Sequence, residues 1–204
     1  MRVFVLRLVT FLLAHLVYRV RVSGVENVPA TGPAMLVSNH VTFIDWFVLT
    51  ASIPRPVRFV MHHSYYAMPI IHWLFRAAKV VPIAGSKEDP ALLTAAFDRI
   101  HEELADGQLV CLFPEGRITD TGAMGPFRPG IERVLERDAV PVIPIALDGL
   151  WGSFFSRKGG PAMTRPFRRV WSRIWVRIGE VVAPEDATAA ELERRVAALL
   201  TSDL

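Results

Sequence analysis

Ala34-Met35-Leu36-Val37-Ser38-Asn39-His40-Val41-Thr42-Phe43-Ile44-Asp45-Trp46-Phe47-Val48-Leu49 is the stretch on which the fold turns. An apolar run at 34–37 meets a polar turn and then a long apolar run at 46–51, the pattern of a strand feeding a turn and a helix. In open α/β sheets ligands gather beyond the carboxyl ends of strands, and His40 stands at that place with Asp45 one helical turn further on. Histidine accepts a proton near neutral pH without a large perturbation. A carboxylate beside its second ring nitrogen fixes the tautomer and stabilises the imidazolium. His40 is therefore a candidate base and Asp45 its orienter. The same residues fit a plainer device, because Thr42-Phe43-Ile44-Asp45 matches the Ser/Thr-x-x-acidic box that opens helices. The two roles are compatible.

Outward from this turn, further strands are predicted at 20–22, 57–61, 80–83, 108–113, 140–146 and 174–178. Helices are predicted at 90–104, opened by Asp89 and Pro90, at 131–137 and at 187–200. Strands alternating with helices predict a one-domain α/β fold around a mostly parallel sheet flanked by helices. The continuous apolar run at 140–146 fits a strand buried on both faces. At 174–178, Ile174, Val176 and Ile178 alternate with Trp175 and Arg177, which predicts a sheet edge.

Two further fragments matter for function. Phe113-Pro114-Glu115-Gly116-Arg117 follows a predicted strand; its glycine lets backbone amides approach an anion, and its arginine carries a planar, permanent charge suited to phosphate. An exposed turn with a Glu115–Arg117 ion pair is the ordinary alternative. The glycine- and proline-rich stretch 122–130 is a candidate lid, and Arg128 within it a further phosphate ligand.

Asn39-His40 followed by Asp45 resembles the NHxxxxD motif of the glycerophospholipid acyltransferases, the family of 1-acylglycerol-3-phosphate acyltransferase. Phe113 to Arg117 resembles that family's second signature and Val140-Pro141-Val142-Ile143-Pro144 a third; the likeness covers about residues 20–180. It implies transfer of a fatty acyl group from acyl-CoA or acyl-carrier protein to the hydroxyl of a lysophospholipid, in phospholipid biosynthesis, with no cofactor, metal or nucleic acid. It makes His40 the base, Asp45 its partner, and Asn39, Glu115, Gly116, Arg117 and Arg128 the acceptor-binding set. The arginine that directly follows Gly116 is a variant similar to the acyltransferase domain of the bifunctional 2-acylglycerophosphoethanolamine acyltransferase/acyl-carrier-protein synthetase. Lysophosphatidylethanolamine is thus a second acceptor to weigh beside 1-acylglycerol-3-phosphate. The family's usual glycine and arginine around the strand at 80–83 are replaced by Ala78 and Ala84, leaving Lys79 and Lys87 as the nearest cations.

Composition agrees with a lipid-handling role. The chain of 204 residues is 51% hydrophobic, with a formal net charge of +3. Its mean hydropathy is +0.32 and its pI about 9.4. That balance suits an anionic lipid surface or a phosphorylated substrate and is too weak to indicate nucleic acid. Cys111, in an apolar run, is expected to be a buried small hydrophobe, and a single cysteine allows no disulfide within one chain. Residues 1–21 are expected to form a membrane-associating helix, ahead of an acyltransferase domain at 22–204. The apolar run at 3–20 lacks a small-residue cleavage signal, and Arg7 and His15 interrupt it, so an interfacial helix is expected over a spanning one, with a helix packed on the protein's own core as the plain alternative. The expected location is a membrane, at the cytoplasmic face of the plasma membrane. Trp151, Phe154 and Phe155 beside Arg157 and Lys158, with Arg165, Arg168, Arg169 and Arg173 beyond, resemble a headgroup boundary.

Two rivals come from other classes. A non-catalytic lipid-binding protein would keep the fold and lose the base. A metal-dependent hydrolase would use His40, Asp45 and the adjacent His62 and His63; no acidic cluster lies near His62 and His63 in the sequence, which argues against it.

Overall fold

The structure is a computed structural model that describes residues 10–12, 14–66, 69–164 and 171–202. The first helix, α1, is described at residues 10–12 and 14–17. Seven strands follow: β1 (Arg19–Ser23), β2 (Ala34–Ser38), β3 (Val57–His62), β4 (Val81–Ile83), β5 (Leu109–Leu112), β6 (Val142–Asp148) and β7 (Arg173–Ile178). The helices between and after them are α2 (Asp45–Ser52), α3 (His63–Tyr66), α4 (Pro69–Ala77), α5 (Pro90–Ala105), α6 (Gly130–Leu135) and α7 (Ala189–Thr201). The strands form one sheet in the order β1-β7-β6-β2-β5-β3-β4. Every pairing is parallel except β6 with β7, so the sheet is mostly parallel, as the alternation of elements predicts.

The apolar run of β2 explains its central place. Ala34 and Leu36 join one core layer with Leu49 of α2, Phe75 of α4 and Ala14 of α1. Met35 and Val37 join the opposite layer with Ile100 of α5, Ile131 of α6 and Leu192 of α7. A strand covered on both faces needs apolar side chains in both registers, and burying each Leu, Ile or Val contributes about 1.5–3 kcal/mol. The predicted cap of α5 is present: Leu92 N–H donates to Asp89 Oδ1 at 2.9 Å, with Pro90 in the first turn.

Two expectations give way. β7 is no sheet edge; it lies between β1 and β6. Its alternation reflects unequal cover: Ile174, Val176 and Ile178 face the first core layer, whereas Arg173 is exposed and Trp175 half-buried. The edges are β1 and the three-residue β4. The strand expected at 20–22 is present as β1, so the helix expected over 1–21 does not reach residues 19–21, and Arg19 pairs with Arg173.

Helix α1 turns its less apolar side inward. Thr10, Ala14 and Tyr18 are buried, while Phe11, Leu12 and Leu16 stand in solvent, Leu16 at 65% exposure. The small Thr10 and Ala14, with the Tyr18 ring just beyond the helix, face the core, and Phe11, Leu12 and Leu16 are left facing outward. Residues 1–9, with Arg7, lie outside the described residues. Trp73 (68% exposed) and Trp171 add to the exposed apolar surface, and the Arg19 guanidinium sits 5.4 Å from the Trp171 ring centre. No described helix is long and apolar enough to cross a membrane.

Candidate active site

β2 and β5 run parallel and adjacent, with Val37 paired to Leu112. Three residues beyond that pair on each strand stand His40 and Glu115. Both sequence motifs are thus delivered to one rim of the sheet, beyond the carboxyl ends of neighbouring strands.

His40 Nδ1 lies 2.8 Å from Asp45 Oδ2. Asp45 is fully buried, and its carboxylate also accepts Val41 N–H at 2.6 Å, Thr42 N–H at 3.0 Å and the Thr42 hydroxyl at 2.6 Å. A buried carboxylate is tolerated only when hydrogen bonds of this kind replace water. The expected capping box does not form: the N-cap of α2 is Ile44, without a side-chain cap, and Asp45 opens the helix with its carboxylate turned back onto the Val41 and Thr42 amides, where it faces His40. Because an ionised carboxylate only accepts, Nδ1 carries the proton and Nε2 keeps its lone pair. The imidazole stacks on Phe113, with ring centres 4.3 Å apart and planes at 19°. His40 remains half-buried, so its free edge is open to solvent.

Glu115 takes a different part from the anion-binding one its motif suggests. Its Oε1 accepts His40 N–H at 2.6 Å and its Oε2 accepts Gly125 N–H at 2.7 Å. Both oxygens are spent on backbone, which makes Glu115 a brace between the histidine turn and the 122–130 stretch. Burial pushes its carboxyl above the ordinary range, with the Gly125 and His40 amides pulling it back. Among the described residues no ion pair joins Glu115 to Arg117.

Asn39, expected beside the acceptor, is also committed elsewhere. Its Nδ2 donates to Leu147 O at 2.9 Å and its Oδ1 accepts Leu147 N–H at 2.8 Å, so a side chain continues the ladder between β2 and β6. Gly116 N–H donates to Phe113 O at 3.0 Å and is spent on the turn. Gly116 has φ +67, and a side chain there would meet the Arg128 guanidinium, whose Nη1 is 3.1 Å from the Cβ position. Arg128 is thus laid across the turn, and Arg117 beside it is exposed. Neither guanidinium has an ion-pair partner among the described residues, so two cations flank the rim that carries His40.

The 122–130 stretch is no free lid. Gly125 N–H is held by Glu115, Phe127 N–H by Glu193 Oε2 at 2.8 Å, and Arg128 N–H by Pro114 O at 2.9 Å. Its amides find acceptors on two other segments, the 114–115 turn and α7, which glycine and proline content alone does not reveal. Lys79 acts on Glu103 near the amino-terminal edge of the sheet, far from His40's rim, whereas Lys87 follows β4 on the correct side. Arg157 pairs with Asp120 at 3.0 Å; Arg165, Arg168 and Arg169 lie outside the described residues. Cys111 is fully buried, and burial, then the Asp45 charge, pushes its thiol upward, which rules it out as a nucleophile.

His62 and His63 meet a carboxylate that their sequence neighbourhood does not contain. Glu88 Oε2 is 2.9 Å from His62 Nε2 and Glu88 Oε1 is 2.7 Å from His63 Nε2. The reason given against metal binding there fails, because the β3–β4 pairing brings the acid in from a later loop. His40 and Asp45 are not part of this group, so the four-residue hydrolase site does not assemble.

Three comparisons bear on this arrangement. The sequence model of the Acyltransferase family matches residues 19–148, which hold both motifs. The chain is 34% identical over 133 residues to a chloroplast 1-acyl-sn-glycerol-3-phosphate acyltransferase of Arabidopsis thaliana, covering 65% of this chain and 36% of that protein. It is 27% identical over 182 residues to the 1-acyl-sn-glycerol-3-phosphate acyltransferase of Pseudomonas aeruginosa, covering 89% of this chain and 64% of that one. This chain thus spans little more than a third of the plant protein's length. The crystal structure of the 1-acyl-sn-glycerophosphate acyltransferase PlsC from Thermotoga maritima superposes with a TM-score of 0.78 over 100% of this chain and 82% of that chain; at 20% identity this is a likeness of fold.

Proposed function

The chain belongs to the Acyltransferase family, and from that membership we propose that it moves a fatty acyl group from a thioester, acyl-CoA or acyl-carrier protein, to the free hydroxyl of a lysophospholipid, with 1-acylglycerol-3-phosphate as acceptor. The observation that carries this reading is the 2.8 Å contact of His40 Nδ1 with Asp45 Oδ2, which leaves Nε2 as the base. The names of the relatives support the acceptor.

In this mechanism Nε2 of His40 takes the proton from the acceptor hydroxyl while the oxygen attacks the thioester carbonyl carbon. The tetrahedral intermediate collapses by breaking the C–S bond, and the thiolate recovers the proton from the imidazolium. The products are an ester and a free thiol. Asp45 stabilises the cationic ring between the two steps. No nucleophilic side chain is needed, since the thiolate leaves readily and the one cysteine is buried. Arg117 and Arg128 receive the acceptor phosphate, while Glu115 and Asn39 hold the two turns in register. The exposed Phe11, Leu12, Leu16, Trp73 and Trp171 suit work at a membrane surface, from which both lipids are drawn.

The test is transfer of labelled acyl groups by the purified protein in detergent, with lysophosphatidic acid and lysophosphatidylethanolamine competing and each donor supplied in turn. Product from wild type and none from His40→Ala supports the reading. Preference for lysophosphatidylethanolamine would follow the variant Gly116-Arg117 motif and replace the acceptor named here. Equal product from His40→Ala would overturn the mechanism.

A further inference from the structure

We propose that His62, His63 and Glu88 form a binding site for one divalent transition-metal ion of the zinc class. Consecutive residues of a strand point to opposite faces. Here the chain leaves β3 at His62 and enters α3 at His63, and that bend turns both imidazoles toward one carboxylate. The ring centres are 4.6 Å apart, and the donor atoms of the three residues all lie within 4.8 Å of one another. Two imidazole nitrogens and a carboxylate oxygen are a donor set that zinc favours; bonds near 2.0–2.1 Å place such ligands about 3.3 Å apart, a small rearrangement from the present contacts.

The surroundings suit an ion rather than a passing charge pair. Each Glu88 carboxylate oxygen already faces one imidazole nitrogen, at 2.9 Å for His62 and 2.7 Å for His63. Ser64 Oγ lies 2.9 Å from His62 Nδ1; when Nε2 turns to a metal, Nδ1 carries the proton and the hydroxyl accepts it, the outer support that metal-bound histidines commonly have. Glu88 sits on a fixed loop, its N–H donating to Gly85 O at 3.0 Å, and the next residue caps α5. All three side chains are about two-fifths exposed or more, so an ion can enter from solvent and keep an open position for water or an anionic oxygen. The site stands beyond β3 and the short edge strand β4, where a bound ion would tie α3 to the β4–α5 connection.

Untagged full-length protein, stripped with chelator and dialysed, is titrated with Zn2+ alone, read by calorimetry and by competition with a chromogenic chelator. One equivalent is expected at micromolar affinity or tighter. His63→Ala and Glu88→Gln should each weaken it at least about 100-fold, and Ser64→Ala about tenfold. His101→Gln, which disrupts the unrelated pair with Asp138 at 2.7 Å, should bind as wild type does. Far-UV circular dichroism of each variant checks its fold. Absence of binding at about 100 µM free Zn2+, binding unchanged in both ligand variants, or equal loss in His101→Gln would each overturn the proposal.

Discussion

His40 with Asp45 and His63 with Glu88 have almost the same separation, 2.8 Å and 2.7 Å, and opposite surroundings. Asp45 is fully buried and already holds two backbone amides and a hydroxyl, so the carboxylate has no freedom left and the ring is pinned between it and Phe113. Glu88 is half in solvent and divides its oxygens between two imidazoles that, among the described residues, contact each other and no core aromatic ring. Contact distance therefore does not separate the proposed base from the proposed metal site. What separates them is how many other groups constrain the carboxylate. A base must be held in one tautomer and one direction, whereas a metal ligand set needs convergence and access.

Asp45→Asn is the strongest way to break that contrast. The amide is acceptor and donor at once, so its NH2 meets the Val41 and Thr42 amides or presents the wrong tautomer to His40. Turnover should fall roughly 10³-fold or more, and urea unfolding should show a loss of about 1–3 kcal/mol. Retained turnover would mean that the constrained carboxylate only braces the turn ahead of α2. Asn39→Ala tests the frame instead of the base. It strands the N–H and C=O of Leu147 inside the sheet, at a cost of about 2–4 kcal/mol for the two. Activity of the fraction still folded should remain well above that of Asp45→Asn, measured at a temperature where both variants hold their native circular dichroism.

Arg117→Ala should act only through the acceptor. Its guanidinium has no partner among the described residues, so removing it costs the fold little and should raise KM for a phosphorylated lysolipid about tenfold with kcat nearly unchanged. A fall in kcat with KM unchanged would move Arg117 from phosphate recognition into the transition state.

These effects follow from pairings that the sequence reveals unequally. The strand–turn–helix around His40, the Asp89 cap and the two-faced burial of β2 are local patterns, and periodicity and capping chemistry made them legible. The Asn39–His40–Asp45 and Phe113–Arg117 motifs located the rim. What stayed hidden were the long-range partners: Glu115 reaching His40's amide from 75 positions away, Asn39 bonding Leu147, and Glu88 meeting His63 across 25. Each depends on strand order, and nothing near Glu88 in sequence foretells that β4 lies beside β3. The glycine- and proline-rich stretch at 122–130 misled for the same reason, because its amides are satisfied by acceptors on the 114–115 turn and α7. The alternation in β7 misled because cover on a sheet face, and not position in the sheet, sets that pattern.

The smallest expected effect concerns Glu115, the second buried carboxylate of the site. Burial raises its carboxyl in the folded protein above the value of 4.5 it has when exposed. A raised carboxyl means that the native state binds more protons than the unfolded chain above that value, so its contribution to stability is fully present below about 4.5 and is lost as pH rises through the folded value. Glu115→Gln cannot titrate and keeps one acceptor for His40 N–H or Gly125 N–H. The stability of wild type minus that of Glu115→Gln, from urea unfolding at a series of pH values, should therefore decline as pH rises from about 4.5 toward neutrality. A difference that grows with pH would mean that the two backbone amides outweigh desolvation. Glu115 would then be held as a charge by the His40 and Gly125 amides, and its brace would strengthen and not weaken as the carboxyl ionises.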